Sequence, residues 1–118
     1  MFNFLRNILG FNDSNQQEFG SVDDYRVSLE PVSPRSGETI SINYQGLLKN
    51  SGANEVYLHY GFDSWSKSVK TVKMERVENG DFNSRIRTEG NYEINFCFKD
   101  NVNNWDNNNG RDWTAHIQ

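Results

Sequence analysis

Residues 55–61 read Glu55-Val-Tyr-Leu-His-Tyr-Gly61, and apolar side chains take every second position of this stretch. Successive side chains of a β-strand point to opposite faces of the sheet. We therefore expect a strand whose Val56, Leu58 and Tyr60 face a core. Tyr57 and His59 are expected to face outward, which makes His59 a surface residue.

The same alternation recurs at residues 92–99, where Ile94, Phe96 and Phe98 share one side. Short runs of this kind are separated by turn residues such as Asn79-Gly80, a dipeptide typical of type I′ hairpins. Seven strands are predicted: Arg26–Glu30, Thr39–Tyr44, Glu55–Gly61, Thr71–Val77, Phe82–Arg87, Tyr92–Lys99 and Trp113–Ile117. Their number and spacing predict an all-β fold, an immunoglobulin-like antiparallel β-sandwich.

The first 24 residues have a different pattern. Residues 1–11 are mostly apolar and fit a short N-terminal helix or tail, and the stretch up to residue 24 reads as a polar linker. A helix this short needs a surface to dock on, which can be the domain itself, a protein partner or a membrane surface. We expect residues 1–24 to be an appendage and residues 25–118 to be the domain. No secretory signal pattern is evident, so a cytoplasmic location is expected, with secretion as the alternative.

Composition excludes several classes of function. The formal net charge of the 118 residues is -4, and acidic and basic residues are interspersed, so nucleic acid is not an expected partner. Cys97 is the one cysteine and is expected to be an ordinary strand thiol. The two histidines lack the spacing of a zinc site. We expect no catalytic residues and no metal site.

Two tryptophans, Trp65 and Trp105, follow the end of a strand pattern and have polar neighbours. An exposed indole can cover the apolar face of a sugar ring, while polar side chains beside it bond to the hydroxyls. The alternative is that one or both rings fold back over an end of the sandwich. Trp113 begins a strand with Ala115 and Ile117 on its side, so it is expected in the core.

A set of ordered motifs resembles carbohydrate-binding module family 25, a starch-binding family. The motifs are Val56-Tyr-Leu-His59-Tyr-Gly61, Trp65, Val72-Lys-Met74, Ile94-Asn-Phe96-Cys-Phe98-Lys-Asp100 and Asn104-Trp105-Asp106-Asn107-Asn108. The resemblance extends from about Val27 to Ile117 and implies an immunoglobulin-type sandwich that binds α-1,4-glucan.

The resemblance also implies the roles of individual residues. His59, Trp65 and Trp105 would be the stacking residues, and Asn107 a partner for sugar hydroxyls. Asp106 is expected to be structural, because an acid in an Asn-rich turn accepts local backbone N–H bonds. The ligand would be starch, glycogen or a maltooligosaccharide.

Three other functions are compatible with parts of the sequence. Asp100 and Asp106 could serve a glycoside hydrolase as acid and base. A structural calcium ion could use oxygen ligands from the loops, namely Asp100, Asp106, Asn107, Asn108 and Asp112. The chain could also be a protein-interaction scaffold that docks a partner through its N-terminal helix.

Overall fold

A computed structural model describes residues 25–118, which form nine strands and one short helix. The elements in chain order are β1 (Val27–Glu30), β2 (Thr39–Tyr44), α1 (Leu47–Asn50), β3 (Val56–Phe62), β4 (Lys67–Lys73), β5 (Glu75–Arg76), β6 (Phe82–Arg87), β7 (Glu93–Asp100), β8 (Trp105–Asp106) and β9 (Trp113–His116). The predicted helix or tail at residues 1–11 and the linker up to residue 24 lie outside the described residues.

The strands form two antiparallel sheets. The first sheet has the order β1-β2-β6-β5, and the second has the order β4-β3-β7-β8, with β9 also paired to β7. This is the strand order of an immunoglobulin-like sandwich, so the predicted fold class is confirmed. Strands β3 and β7 form the centre of the second sheet and pair without a break from Val56 opposite Asp100 to Phe62 opposite Ile94.

The core lies between the sheets, where the inward residues of both sheets meet. All six residues predicted for the inner faces of β3 and β7 are buried: Val56, Leu58, Tyr60, Ile94, Phe96 and Phe98. Trp113 is fully buried as well, and its ring lies 5.3 Å from that of Phe98. The period-two pattern thus assigned the inner face correctly because each of these strands has one face on the core.

The predicted strand Thr71–Val77 is wrong. Strand β4 begins earlier, at Lys67, and ends at Lys73, and β5 belongs to the other sheet. The chain crosses between the sheets at Met74, whose side chain is buried and whose N–H donates to the Val56 carbonyl at 2.8 Å. Crossing at a buried residue lets one continuous segment provide an edge strand to each sheet.

The hairpin at Asn79-Gly80 exists, but it is not a type I′ turn. Of these two residues only Gly80 has a positive φ, whereas a type I′ turn needs two such residues in succession. The Gly80 N–H donates to the Val77 carbonyl, and the Val77 N–H donates to Asp81, which closes a three-residue loop. The Asn79 side chain accepts the N–H of Asp81, so the asparagine stabilises the loop without a left-handed backbone.

Candidate functional site

Three of the four residues singled out from the sequence lie together on the outer face of the second sheet. The rings of His59 and Trp65 are nearly parallel, with an interplanar angle of 23° and 5.2 Å between centroids. Trp105 meets His59 edge-on, at 84° and 5.7 Å. We call these three residues the outer ring cluster. The planes of its two indoles are steeply inclined to each other.

The outer ring cluster lies over strand β3. His59 faces outward as predicted, and its Nδ1 lies 2.8 Å from the Thr71 hydroxyl on β4. Gly61, two residues on, faces outward too, and a Cβ at this position would lie only 3.0 Å from the Trp65 ring. The absence of a side chain at Gly61 therefore lets the Trp65 indole lie close against the sheet. Cys97 is opposite His59 and buried, and burial raises the pKa of its thiol to about 12.

Trp65 is held in a left-handed turn. Asp63, Ser64 and Trp65 have φ values of 53°, 61° and 63°, a region that costs a non-glycine residue about 1–2 kcal/mol. The turn is closed by the Ser66 N–H, which donates to the Phe62 carbonyl at 2.9 Å. Strain of this kind persists only where surrounding contacts impose it, and it concentrates at functional sites.

The contacts that impose the turn come from residues about thirty positions away. The Asp63 carboxylate accepts the backbone N–H groups of Asn91, Tyr92 and Glu93 at 2.8–3.2 Å. Burial alone would raise the pKa of Asp63, but these hydrogen bonds, together with Lys67, lower it to about 2. The backbone N–H of Trp65 donates to the side-chain oxygen of Asn95 on β7 at 3.0 Å.

Trp105 lies in the short strand β8, which is not among the seven strands predicted from the sequence. The Asp100 carboxylate accepts the N–H groups of Val102 and Asn104 at 2.9 and 2.8 Å, and this closes a tight hairpin. The hairpin returns the chain beside β7, with Trp105 opposite Lys99. Trp105 is 46% exposed, whereas Trp113 is fully buried. The indole of Trp105 is thus available at the surface.

Asn107 and Asp106 have different roles in the loop after Trp105. Asp106 is buried, and its carboxylate accepts the Tyr44 hydroxyl at 2.6 Å and the N–H of Leu47 at 3.3 Å, which confirms its structural role. Asn107 is exposed, and its side-chain oxygen accepts the Gly110 N–H at 2.9 Å. Its side-chain nitrogen makes no hydrogen bond within residues 25–118, so this group is free to donate.

Asp112 was missed as a member of the site. Its carboxyl lies near enough to the Trp65 side chain and to His59 for both to influence its pKa. Burial raises the pKa of Asp112, and these two partners oppose that shift. The Asp112 backbone is fixed by its N–H, which donates to the Asn107 carbonyl at 2.7 Å. Asp112 therefore lies between the loop that carries Asn107 and the rings of Trp65 and His59.

No group of three or more His, Cys, Asp or Glu side chains among residues 25–118 is arranged to hold a metal ion. No helix within this range is long and apolar enough to cross a bilayer. The Asp100 carboxylate is engaged by hydrogen bonds inside its own hairpin, and the Asp106 carboxylate is engaged by the Tyr44 hydroxyl and the N–H groups of Leu47 and Asn108.

The chain is similar in sequence to part of a known enzyme. An alpha-amylase of Clostridium acetobutylicum is 35% identical over 93 residues, which are 78% of this chain and 12% of the amylase. The chain thus spans only a small part of the length of that relative. No solved structure matches the chain.

A family model described as a starch/carbohydrate-binding module, family 53, matches residues 40–115. The matched range includes His59, Trp65, Trp105 and Asn107. The expectation of a starch-binding module is confirmed, but the matching family is 53 and not the family 25 that the motifs resemble. The chain belongs to the starch/carbohydrate-binding modules of family 53.

Proposed function

We propose that residues 25–118 form a non-catalytic module that binds α-1,4-glucans, namely starch, glycogen and maltooligosaccharides. The sugar rings stack on His59, Trp65 and Trp105, and the Asn107 side chain donates to a hydroxyl. The observation that carries this proposal is the steep inclination between the indoles of Trp65 and Trp105, both in contact with His59. A curved α-glucan offers successive sugar faces at changing angles, whereas a flat β-glucan needs coplanar rings.

The expected affinity follows from the area that the rings can cover. Half of a tryptophan surface is ~100 Å², and at about 25 cal/mol per Å² its burial contributes ~2.5 kcal/mol before ordering costs. Two indoles therefore support dissociation constants in the micromolar to millimolar range, on the order of 10⁻⁶ to 10⁻³ M. The hydrogen bonds that fix Trp65 reduce the ordering cost, because the ring is already in place.

A binding role without catalysis is favoured by the state of the candidate acids. A glycoside hydrolase needs one carboxyl with a raised pKa to protonate the leaving oxygen. Burial acts to raise the pKa of Asp100, but hydrogen bonds from Asn104 and Val102 outweigh it and lower the pKa. The Asp106 carboxylate is buried and accepts hydrogen bonds from the Tyr44 hydroxyl and the Asn108 N–H. Neither group is set up as a general acid.

Sedimentation with insoluble polysaccharides tests the proposal. The protein should pellet with starch and stay in solution with cellulose or xylan, and a chelator should not change this. A double variant, Trp65→Ala with Trp105→Ala, is the matched control and should stay in solution with starch. Pelleting with cellulose but not with starch would overturn the proposal. Release of reducing sugar from soluble starch would overturn its non-catalytic part.

A further inference from the structure

A fourth aromatic side chain stands in line with the outer ring cluster. Outward positions on β3 are Tyr57, His59 and Gly61, and the Trp65 ring lies against Gly61. Residues two apart on a strand are separated by about 7 Å. The rings of Tyr57, His59 and Trp65 therefore form a row over β3, with Tyr57 at the end away from Trp65.

Tyr57 is also linked to the cluster across the sheet. In the register of the strands Tyr57 is opposite Lys99, and Lys99 is opposite Trp105. The Lys99 ammonium lies 6.0 Å from the Tyr57 ring and 5.4 Å from the Trp105 ring. One cation thus bridges the two aromatic rings. An ammonium group offers three donors and no acceptor, which suits a ligand rich in hydroxyls.

The Tyr57 ring is held in a fixed orientation, as a stacking platform requires. Its hydroxyl donates to Glu55 at 2.9 Å, and this hydrogen bond raises the pKa of Tyr57. Glu55 in turn lies 3.7 Å from the Lys73 ammonium. The ring is only partly buried, so it can be covered by a ligand without a change in the fold.

We infer that Tyr57 and Lys99 form an additional subsite that extends the glucan-binding surface beyond the outer ring cluster. A short oligosaccharide fills the cluster alone, while a longer α-glucan follows β3 and places a further glucose unit against Tyr57, with Lys99 donating to its hydroxyls. This inference rests on the proposed function and adds to it a preference for longer chains.

The test compares maltotriose with maltoheptaose by calorimetry. For the wild type, maltoheptaose should bind more tightly than maltotriose. Tyr57→Ala should weaken maltoheptaose binding about tenfold, or about 1.4 kcal/mol, and leave maltotriose binding nearly unchanged, since tyrosine is among the residue types whose truncation costs most at an interface. Tyr57→Phe keeps the ring and should retain most of the length preference. Tyr92→Ala removes an exposed tyrosine outside this row of rings and is the matched control.

The outcomes separate the subsite from the function. If neither sugar binds the wild type, the proposed function fails. If maltoheptaose binds and Tyr57→Ala leaves the ratio of the two affinities unchanged, only the subsite is refuted. Ring NMR signals of Tyr57 in the wild type give a check that needs no variant: maltoheptaose should shift them and maltotriose should not. Equal shifts with both sugars would also refute the subsite.

Discussion

Two groups of aromatic rings lie on opposite faces of the second sheet. On the inner face Trp113 packs against Phe96 and Phe98, with ring centroids 6.3 and 5.3 Å away. On the outer face the rings of Trp65 and Trp105 flank His59. The inner rings are held by packing on all sides. The outer rings depend on a strained turn, a tight hairpin and hydrogen bonds, which leave their surfaces available.

Tryptophan thus occupies two different environments in the same sheet. An inner indole stabilises the domain and is inaccessible to a ligand, while an outer indole contributes little to the core and can be covered by a sugar. Substitutions on the two faces should therefore separate stability from binding.

The largest effect is expected from Trp113→Ala. Removing a fully buried tryptophan leaves a cavity, and such changes cost about 3–5 kcal/mol of unfolding free energy. Urea denaturation should show this loss, which is a large part of the ~5–15 kcal/mol that stabilises a typical domain. An unchanged midpoint would mean that Trp113 is not a core residue.

Trp65→Ala and Trp105→Ala should lower the affinity for glucan rather than the stability of the fold. Truncation of an aromatic anchor commonly costs ~2 kcal/mol or more, or about thirtyfold in affinity for maltoheptaose. The urea midpoint of each variant should stay much closer to the wild type than that of Trp113→Ala. Wild-type affinity in both variants would contradict the assignment of the outer face as the binding surface.

Gly61→Ala tests the same contrast by adding a methyl group while all three rings of the outer ring cluster are kept. The added methyl group would meet the Trp65 ring and the Val69 side chain, each at 3.0 Å, so the indole must shift. Overpacking of this kind costs about 1–3 kcal/mol. We expect a large part of this cost to appear as weaker maltoheptaose binding, which calorimetry measures. Affinity equal to that of the wild type would show that the position of Trp65 against Gly61 does not matter for binding.

A pH-dependent effect is expected from the charge of Asp63. Its pKa is about 2 in the folded protein, below the ordinary 3.8, so its ionised form stabilises the fold above about pH 4. This contribution is lost as the pH falls through about 2. In urea denaturation from pH 5 to 2, the wild type should exceed Asp63→Asn in stability by an amount that shrinks with acidity. A pH-independent difference between the two proteins would contradict the low pKa.

The sequence predicts the faces of the central strands because their alternation is local and each strand has one side on the core. Tyr57, His59 and Phe96 could all be assigned to their faces in this way. The left-handed turn at Asp63 to Trp65 could not be predicted, since it contains no glycine and its hydrogen-bond partners lie at residues 91–95. Such long-range contacts leave no periodic signal.

The same limit applies to other parts of the site. Asp112 comes close to Trp65 although the two are almost fifty residues apart in the sequence, and no spacing rule indicates this proximity. The crossing at Met74 was missed because an alternating pattern does not record which sheet a strand joins. Family motifs pointed to His59, Trp65, Trp105 and Asn107, whereas the close approach of Trp65 to Gly61 and the place of Asp112 become evident only in the fold.

The most direct test of glucan binding on the outer face is a titration of the wild-type protein followed by tryptophan fluorescence. Maltoheptaose should give a saturable change, because it covers Trp65 and Trp105, and cellohexaose at the same concentrations should give none. A saturable change with cellohexaose, or no change with maltoheptaose, would contradict the account.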